Sequence, residues 1–282
     1  MKIFDIHTHA FPDALAPRAI GSLARASGGL TPFTDGTAGS LDAFMKSQGV
    51  CGYAVLNIAT NAHQMKKVND FAATLKSDSV FPFGSVHPDA PDALAELERI
   101  KAMGLRGVKF HPDYQGFFAD EDRMIPIYKK ISELGLCVVF HAGQDYGFKA
   151  PFHCMPDNLI GALKHLDCPV IAAHWGGLNE GDRVLEKLCG LPLYFDISFG
   201  YASKPRLEAL EIAEKHGTQR LLFGSDCPWH APEMELRLLD TLDLSEDQRR
   251  DILWNNAARL LGFPLLEKEE GCENCKEAGK CR

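Results

Sequence analysis

Short β-rich apolar runs alternate with segments of helical period from one end of this 282-residue chain to the other. The runs are Lys2–His9, Cys51–Ile58, Val80–His87, Gly107–His111, Leu136–His141, Pro169–His174, Leu193–Phe199 and Arg220–Asp226. Between them the periodicity predicts helices over Leu41–Gly49 (after a Ser40 cap), Ala62–Lys76, Pro91–Met103, Ile125–Leu134, Asn158–His165, Arg183–Leu188 and Pro205–His216. Two closing helices fit Glu233–Leu242 and Ser245–Leu261. Strand–helix units in this order pair in parallel through right-handed crossovers. Val, Ile and Phe occupy both parities of the runs, as expected when both faces of a sheet are covered. The predicted class is therefore α/β, closing into a distorted (β/α)₈ barrel. An open doubly wound sheet would carry a Gly-rich phosphate turn after its first strand, and that place here holds His7-Thr8-His9.

The barrel is predicted to span residues 1–263, followed by a charged, cysteine-containing tail over 264–282. Gly28–Gly39 reads as an excursion from the first βα loop, either a flap over the strand ends or a surface loop. In the tail, Cys272, Cys275 and Cys281 fall one ligand short of a Cys₄ zinc site, so a peripheral clip competes with a disordered reactive tail.

A net charge of −8 argues against nucleic acid or an anionic membrane as the main partner. No apolar run approaches the roughly 20 residues that span a bilayer. The nine cysteines are scattered, many within apolar elements, as expected of reduced thiols in the cytoplasm. A small-molecule substrate is the expected partner, and a homodimer is compatible with an acidic barrel.

In the runs that carry His7 and His9, Lys109 and His111, His141, His174 and Asp226, the polar residue falls at the C-terminal end, where barrel enzymes place their chemistry. Strand alternation points His7 and His9 the same way, and pairs Lys109 with His111, Ala172 with His174, and Gly224 with Asp226. A lone histidine at such a place is most often a hydrogen-bonded rim residue. Several imidazoles and a carboxylate together are costly to bury without a cation or full pairing. Imidazole and carboxylate suit a borderline divalent ion such as Zn²⁺, with Mn²⁺ or Fe²⁺ as alternatives.

The segments DIHTHAFP, GVKFHPDYQGF, HWGG, FGSDCPW and NNAARLLGF, recurring in order over about residues 1–263, resemble the amidohydrolase superfamily. They look like its amidohydrolase-related branch, which includes the aminocarboxymuconate-semialdehyde decarboxylase type. The resemblance implies a TIM barrel with a divalent metal at the strand ends. By position it makes His7, His9, His141 and Asp226 the ligands of one metal. It puts His174 beside the metal-activated water as acid/base or electrostatic partner, or as ligand of a second metal. A second metal would need a bridging carboxylate from strand four. That strand offers Lys109, which could bridge only if carboxylated; a free ammonium binding an anionic substrate group is the preferred alternative.

The expected chemistry is hydrolysis of an ester, lactone or amide carbonyl by water activated at the metal, with Asp226 as ligand and proton acceptor and His174 stabilising the nucleophile or protonating the leaving group. The alternative is non-oxidative decarboxylation of an unsaturated or aromatic acid, a C–C lyase reaction needing a cationic clamp from Lys109, Lys149 or Arg18. A third class, a non-catalytic metal- or ligand-binding protein, fits poorly, because structural zinc sites are usually closed and cysteine-rich. His111, His87 and Asn57 are secondary substrate candidates, and Trp175 and Trp229 candidate pocket walls. Asp196 and Ser198 are expected in the polar lining, Asp145 and Tyr146 in a specificity loop, and Asn255 and Asn256 in structural roles.

Overall fold

The computed structural model describes residues 1–266. The strands are β1 (Phe4–Thr8), β2 (Gly52–Leu56), β3 (Val80–Phe83), β4 (Gly107–Phe110), β5 (Cys137–Phe140), β6 (Val170–Ala172), β7 (Tyr194–Asp196) and β8 (Leu221–Leu222). All pair in parallel in sequential order, as β1-β2-β3 and β4-β5-β6-β7-β8. The two sheets join where Gly84 N–H donates to Gly107 O (2.9 Å) and Lys109 N–H to Gly84 O (2.8 Å). At the other seam Ile6 N–H donates to Phe223 O (2.9 Å) and Asp226 N–H to His7 O (2.8 Å). The result is a closed (β/α)₈ barrel.

The helices, among which the predicted ones keep their order, are α1 (Ala16–Ala26), α2 (Ala38–Ser47), α3 (Met65–Thr74), α4 (Ala93–Ala102), α5 (Pro112–Gln115), α6 (Ile125–Glu133), α7 (Pro156–Leu163), α8 (Gly181–Lys187), α9 (Gly200–Ser203), α10 (Arg206–His216), α11 (Pro232–Asp240), α12 (Glu246–Arg250) and α13 (Asn256–Leu261). Three details differ from expectation. The cap of α2 is Thr37, whose side chain accepts from Ser40 N–H, so Ser40 lies inside the first turn. The second predicted closing helix, Ser245–Leu261, is divided by a wider turn over Asp251–Asn255. Helices α1, α5 and α9 were not expected; in α1, Pro17 sits in the first turn, where a missing N–H costs nothing. Among the described residues no helix is long and apolar enough to cross a membrane. Cys272, Cys275 and Cys281 lie outside the described residues.

Two apolar layers hold the barrel. Phe4, Ile6, Leu56, Phe83, Val139, Ile171 and Leu222 fill its interior. Val108, Phe110, Val138, Phe140, Ala172 and Phe195 face outward to Leu97, Ile131, Leu159 and Val184 on the surrounding helices. The same alternation explains most of the functional residues and fails for two of them. With Phe4 and Ile6 inside, unbroken alternation would send His7 outward. A bulge between Asp5 and Thr8 opposes that stretch to the shorter Tyr53–Val55 and restores His7 to the rim. Ala172 likewise faces the helices, so His174 would follow it. The strand ends at Ala172, and His174 turns inward at φ 59°.

Candidate metal centre and active-site cavity

His7 and Asp226 are neighbours because β1 and β8 close the barrel. Gly224 permits the approach; a Cβ there would lie 3.1 Å from that of His7. His7 Nδ1 lies 2.9 Å from Asp196 Oδ2, and its Nε2 lies 3.2 Å from Asp226 Oδ1. His9 repeats the arrangement, with Nδ1 2.8 Å from Leu56 O and Nε2 3.0 Å from the same Asp226 oxygen. Each imidazole spends its Nδ1 proton on a fixed acceptor, which leaves the Nε2 lone pair for the site. Burial, reinforced by the Lys109 charge, lowers the His7 pKa to about 3, so the ring is neutral. Burial pushes the Asp226 carboxyl up, but His7 and His9 outweigh it and hold the group at about 2.

Asp196 organises this half of the site. One oxygen receives His7, and the other accepts from the N–H groups of His174 and Ser198, both at 3.1 Å. Burial opposes its ionisation, yet His7, His174 and Ser198 together keep it below the ordinary carboxylate range. Asp5 plays the corresponding part between β1 and β8: its Oδ1 accepts from His7 N–H and Ser225 N–H, each at 3.0 Å.

The other half is built on β5 and β6. His174 Nε2 faces His141 Nδ1 at 3.1 Å, and its Nδ1 is 2.9 Å from Ser198 Oγ. His111 stacks on His141 at 4.0 Å and meets Asp145 Oδ2 through Nε2 at 3.2 Å. Lys109 is buried and its Nζ lies 3.3 Å from His7 Nε2. Burial lowers its pKa to about 8, against the pull of Asp196 and Asp226. His174, Phe199 and Asp226 all have positive φ. Such backbone costs of order 1–3 kcal/mol per residue and persists only where surrounding contacts hold it.

The donor set fits a divalent cation. His7, His9 and Asp226 bring one ligand atom each within 4.8 Å of one another, as do His111, His141 and Asp145. His141 Nε2 is buried without a hydrogen-bond partner. A buried nitrogen in that condition is costly unless something not belonging to the chain meets it. His7, His9 and Asp226 would hold one ion, with His141, His174 and Lys109 next to it. His141, expected in the first ligand set, turns Nδ1 to His174 and keeps its unpartnered Nε2 for the site.

A cavity of about 570 Å³ opens over these groups. It is lined by His7, His9, Lys109, His111, His141, His174, Asp226, Asn57 and Trp229, together with Asp145 and Tyr146. Two expected residues are elsewhere. Trp175 is fully buried in the outer apolar layer, because the chain reverses just after His174. His87 accepts from Asp89 N–H through Nδ1 in the turn after β3, away from the cavity. Asn255 and Asn256 are structural: Asn256 donates to Thr218 O and Leu221 O behind β8. The unforeseen contribution is that of α1 and α3, which supply much of the apolar wall.

The amidohydrolase family profile matches residues 4–263, and the chain belongs to that family. Solved structures with the same fold include a TIM-barrel protein of Bordetella bronchiseptica (19% identity, TM-score 0.73, covering 93% of this chain and 99% of that one). Others are 5-carboxyvanillate decarboxylase from Sphingomonas paucimobilis (14%, 0.67, 93% and 99%) and 2,6-dihydroxybenzoate decarboxylase from Rhizobium (16%, 0.65, 93% and 98%). No curated protein matches the chain.

Proposed function

We propose that this protein is a metal-dependent hydrolase acting on an ester, lactone or amide carbonyl of a small molecule. One observation carries the reading: two imidazoles with their Nδ1 positions occupied turn their Nε2 atoms onto one oxygen of Asp226. A divalent cation held there supplies Lewis acidity and lowers the pKa of water to about 7 in zinc enzymes. The residues supply the rest. Asp226 uses Oδ1 toward the histidines, so Oδ2 is the atom that accepts a proton from the attacking water. The proton that Asp226 takes up is passed through His174 to the leaving group, with Ser198 Oγ fixing the His174 ring at Nδ1. The apolar walls limit bulk water around the reacting carbonyl.

A second reading is favoured by Lys109. A buried ammonium beside His7 offers a partner for a substrate carboxylate, which suits decarboxylation. Carbon dioxide release measured against water consumption, on any substrate that turns over, separates the two. Hydrolysis without gas release upholds the first reading; stoichiometric CO₂ overturns it.

A further inference from the structure

Helix α1 is anchored on one side and open on the other. Ala16 and Ile20 are buried, and Ile20 packs where Gly36 leaves no room for a side chain. At the far end Ala26 lies against Gly147, just beyond Asp145, so the helix crosses from the end of β1 to the loop after β5. Its remaining stripe of Leu15, Arg18, Ala19, Ser22 and Leu23, spaced as one helical face, lines the cavity. Leu15 is 56% exposed, and Leu23 is half-buried. Val68, Phe71 and Lys67 of α3 line the same space. Apolar side chains of both helices thus border one cavity of ligand size, since small-molecule pockets run about 300–1,000 Å³.

The charges in the cavity are distributed unevenly. Asp226 is engaged by His7 and His9, and Asp145 by His111. Arg18 and Lys67 are exposed, one from each helix, and neither forms an ion pair within the described residues. We infer that the substrate, beyond its reacting group, carries an apolar arm ending in a carboxylate. The arm lies between α1 and α3, and Arg18 with Lys67 receives the anion. This rests on the reaction centre proposed above for the placement of the reacting end, and it assigns α1 as the element that selects the substrate. The Leu15–Leu23 row is ~12 Å long at 1.5 Å per residue, which sets the scale of the arm.

The test is calorimetric binding of straight-chain alkanoates from hexanoate to dodecanoate, and of the matching alkanols, to the full-length metal-loaded protein. Affinity is expected to rise about threefold to fourfold per methylene until the row is filled. The acids are expected to bind at least ~10-fold more tightly than the alcohols, as a charge pair allows. In Arg18→Ala/Lys67→Ala the acid and alcohol series should converge while the chain-length slope remains. In Leu23→Asp the slope should flatten, with circular dichroism verifying the fold. No chain-length dependence overturns the proposal. So does a preference for acids that survives the double replacement, because the anion would then sit at the metal or at Lys109. Repeating the titration with Asp226→Asn separates the two readings: binding that persists there keeps the selecting role of α1 even if no hydrolysis is found.

Discussion

The Nδ1 atom of His7 lies 2.9 Å from Oδ2 of Asp196, and this contact decides which nitrogen of His7 faces the candidate metal site. With the carboxylate ionised, the proton belongs on Nδ1 and the lone pair on Nε2.

Replacing Asp196 with Asn tests that relationship. The amide can still accept from His174 N–H and Ser198 N–H, so the fold is expected to survive. Its NH₂ group would donate to Nδ1 and drive the His7 proton onto Nε2, where it blocks a ligand. Metal affinity should fall about 10- to 100-fold, the usual effect of losing such an orienting partner. Competition with a chelator, alongside circular dichroism, measures it; unchanged affinity would show that Asp196 does not set the tautomer.

Asp226→Asn and His174→Ala should each reduce kcat by about 10²–10⁴, the range of general acid–base contributions. The comparison must be made at equal metal content. Full turnover by the metal-loaded Asp226→Asn protein would contradict its role as proton acceptor, and the same result for His174→Ala would remove it as proton donor.

Metal removal should lower thermal stability as well as activity. Ligands binding only the folded state stabilise it by ~2.7 kcal/mol at 100 times Kd. Dialysis against a chelator is expected to lower Tm, and added Zn²⁺, Mn²⁺ or Fe²⁺ to restore it. A Tm indifferent to both treatments would contradict a resident ion bound by His7, His9 and Asp226.

His216, far from the cavity, gives a pH signature of stability. Its Nε2 donates to Leu193 O (3.0 Å), its Nδ1 accepts from Gly190 N–H (3.3 Å), and the ring stacks on Phe195 at 3.8 Å. These contacts require a neutral ring, and burial lowers its pKa to about 4. Above pH ~6.5 the folded and unfolded chains both hold it neutral. Below that, the unfolded chain binds a proton that the folded one refuses, so stability falls as pH drops through the window to about 4. At ~1.4 kcal/mol per unit, this amounts to about 3 kcal/mol. Denaturant midpoints between pH 7 and 4.5 should decline less steeply for His216→Gln than for the parent chain. Parallel slopes would count against the assignment.

The alternation of apolar runs with helical segments was sufficient to read the barrel, because both periodicities are local properties of the chain. The histidines and aspartate at the ends of the runs were legible for the same reason. Helix α1 was not, since its stripe faces a cavity instead of the core and the neighbouring glycines suggested only a loop. The inward turns of His7 and His174 depend on the bulge in β1 and on a positive φ after β6. Strand alternation reached the right rim for these two, but its geometry would have turned them to the helices.

The sequence alone determined the order of the strands, the class of fold and most of the ionisable groups brought to the C-terminal rim. Only the tertiary structure decided which nitrogen of each histidine is free, that Trp175 belongs to the outer layer, and that α1 walls the cavity. Periodicity is written in neighbouring residues, whereas tautomers and walls are set by partners such as Asp196, which stands 189 residues from His7 along the chain.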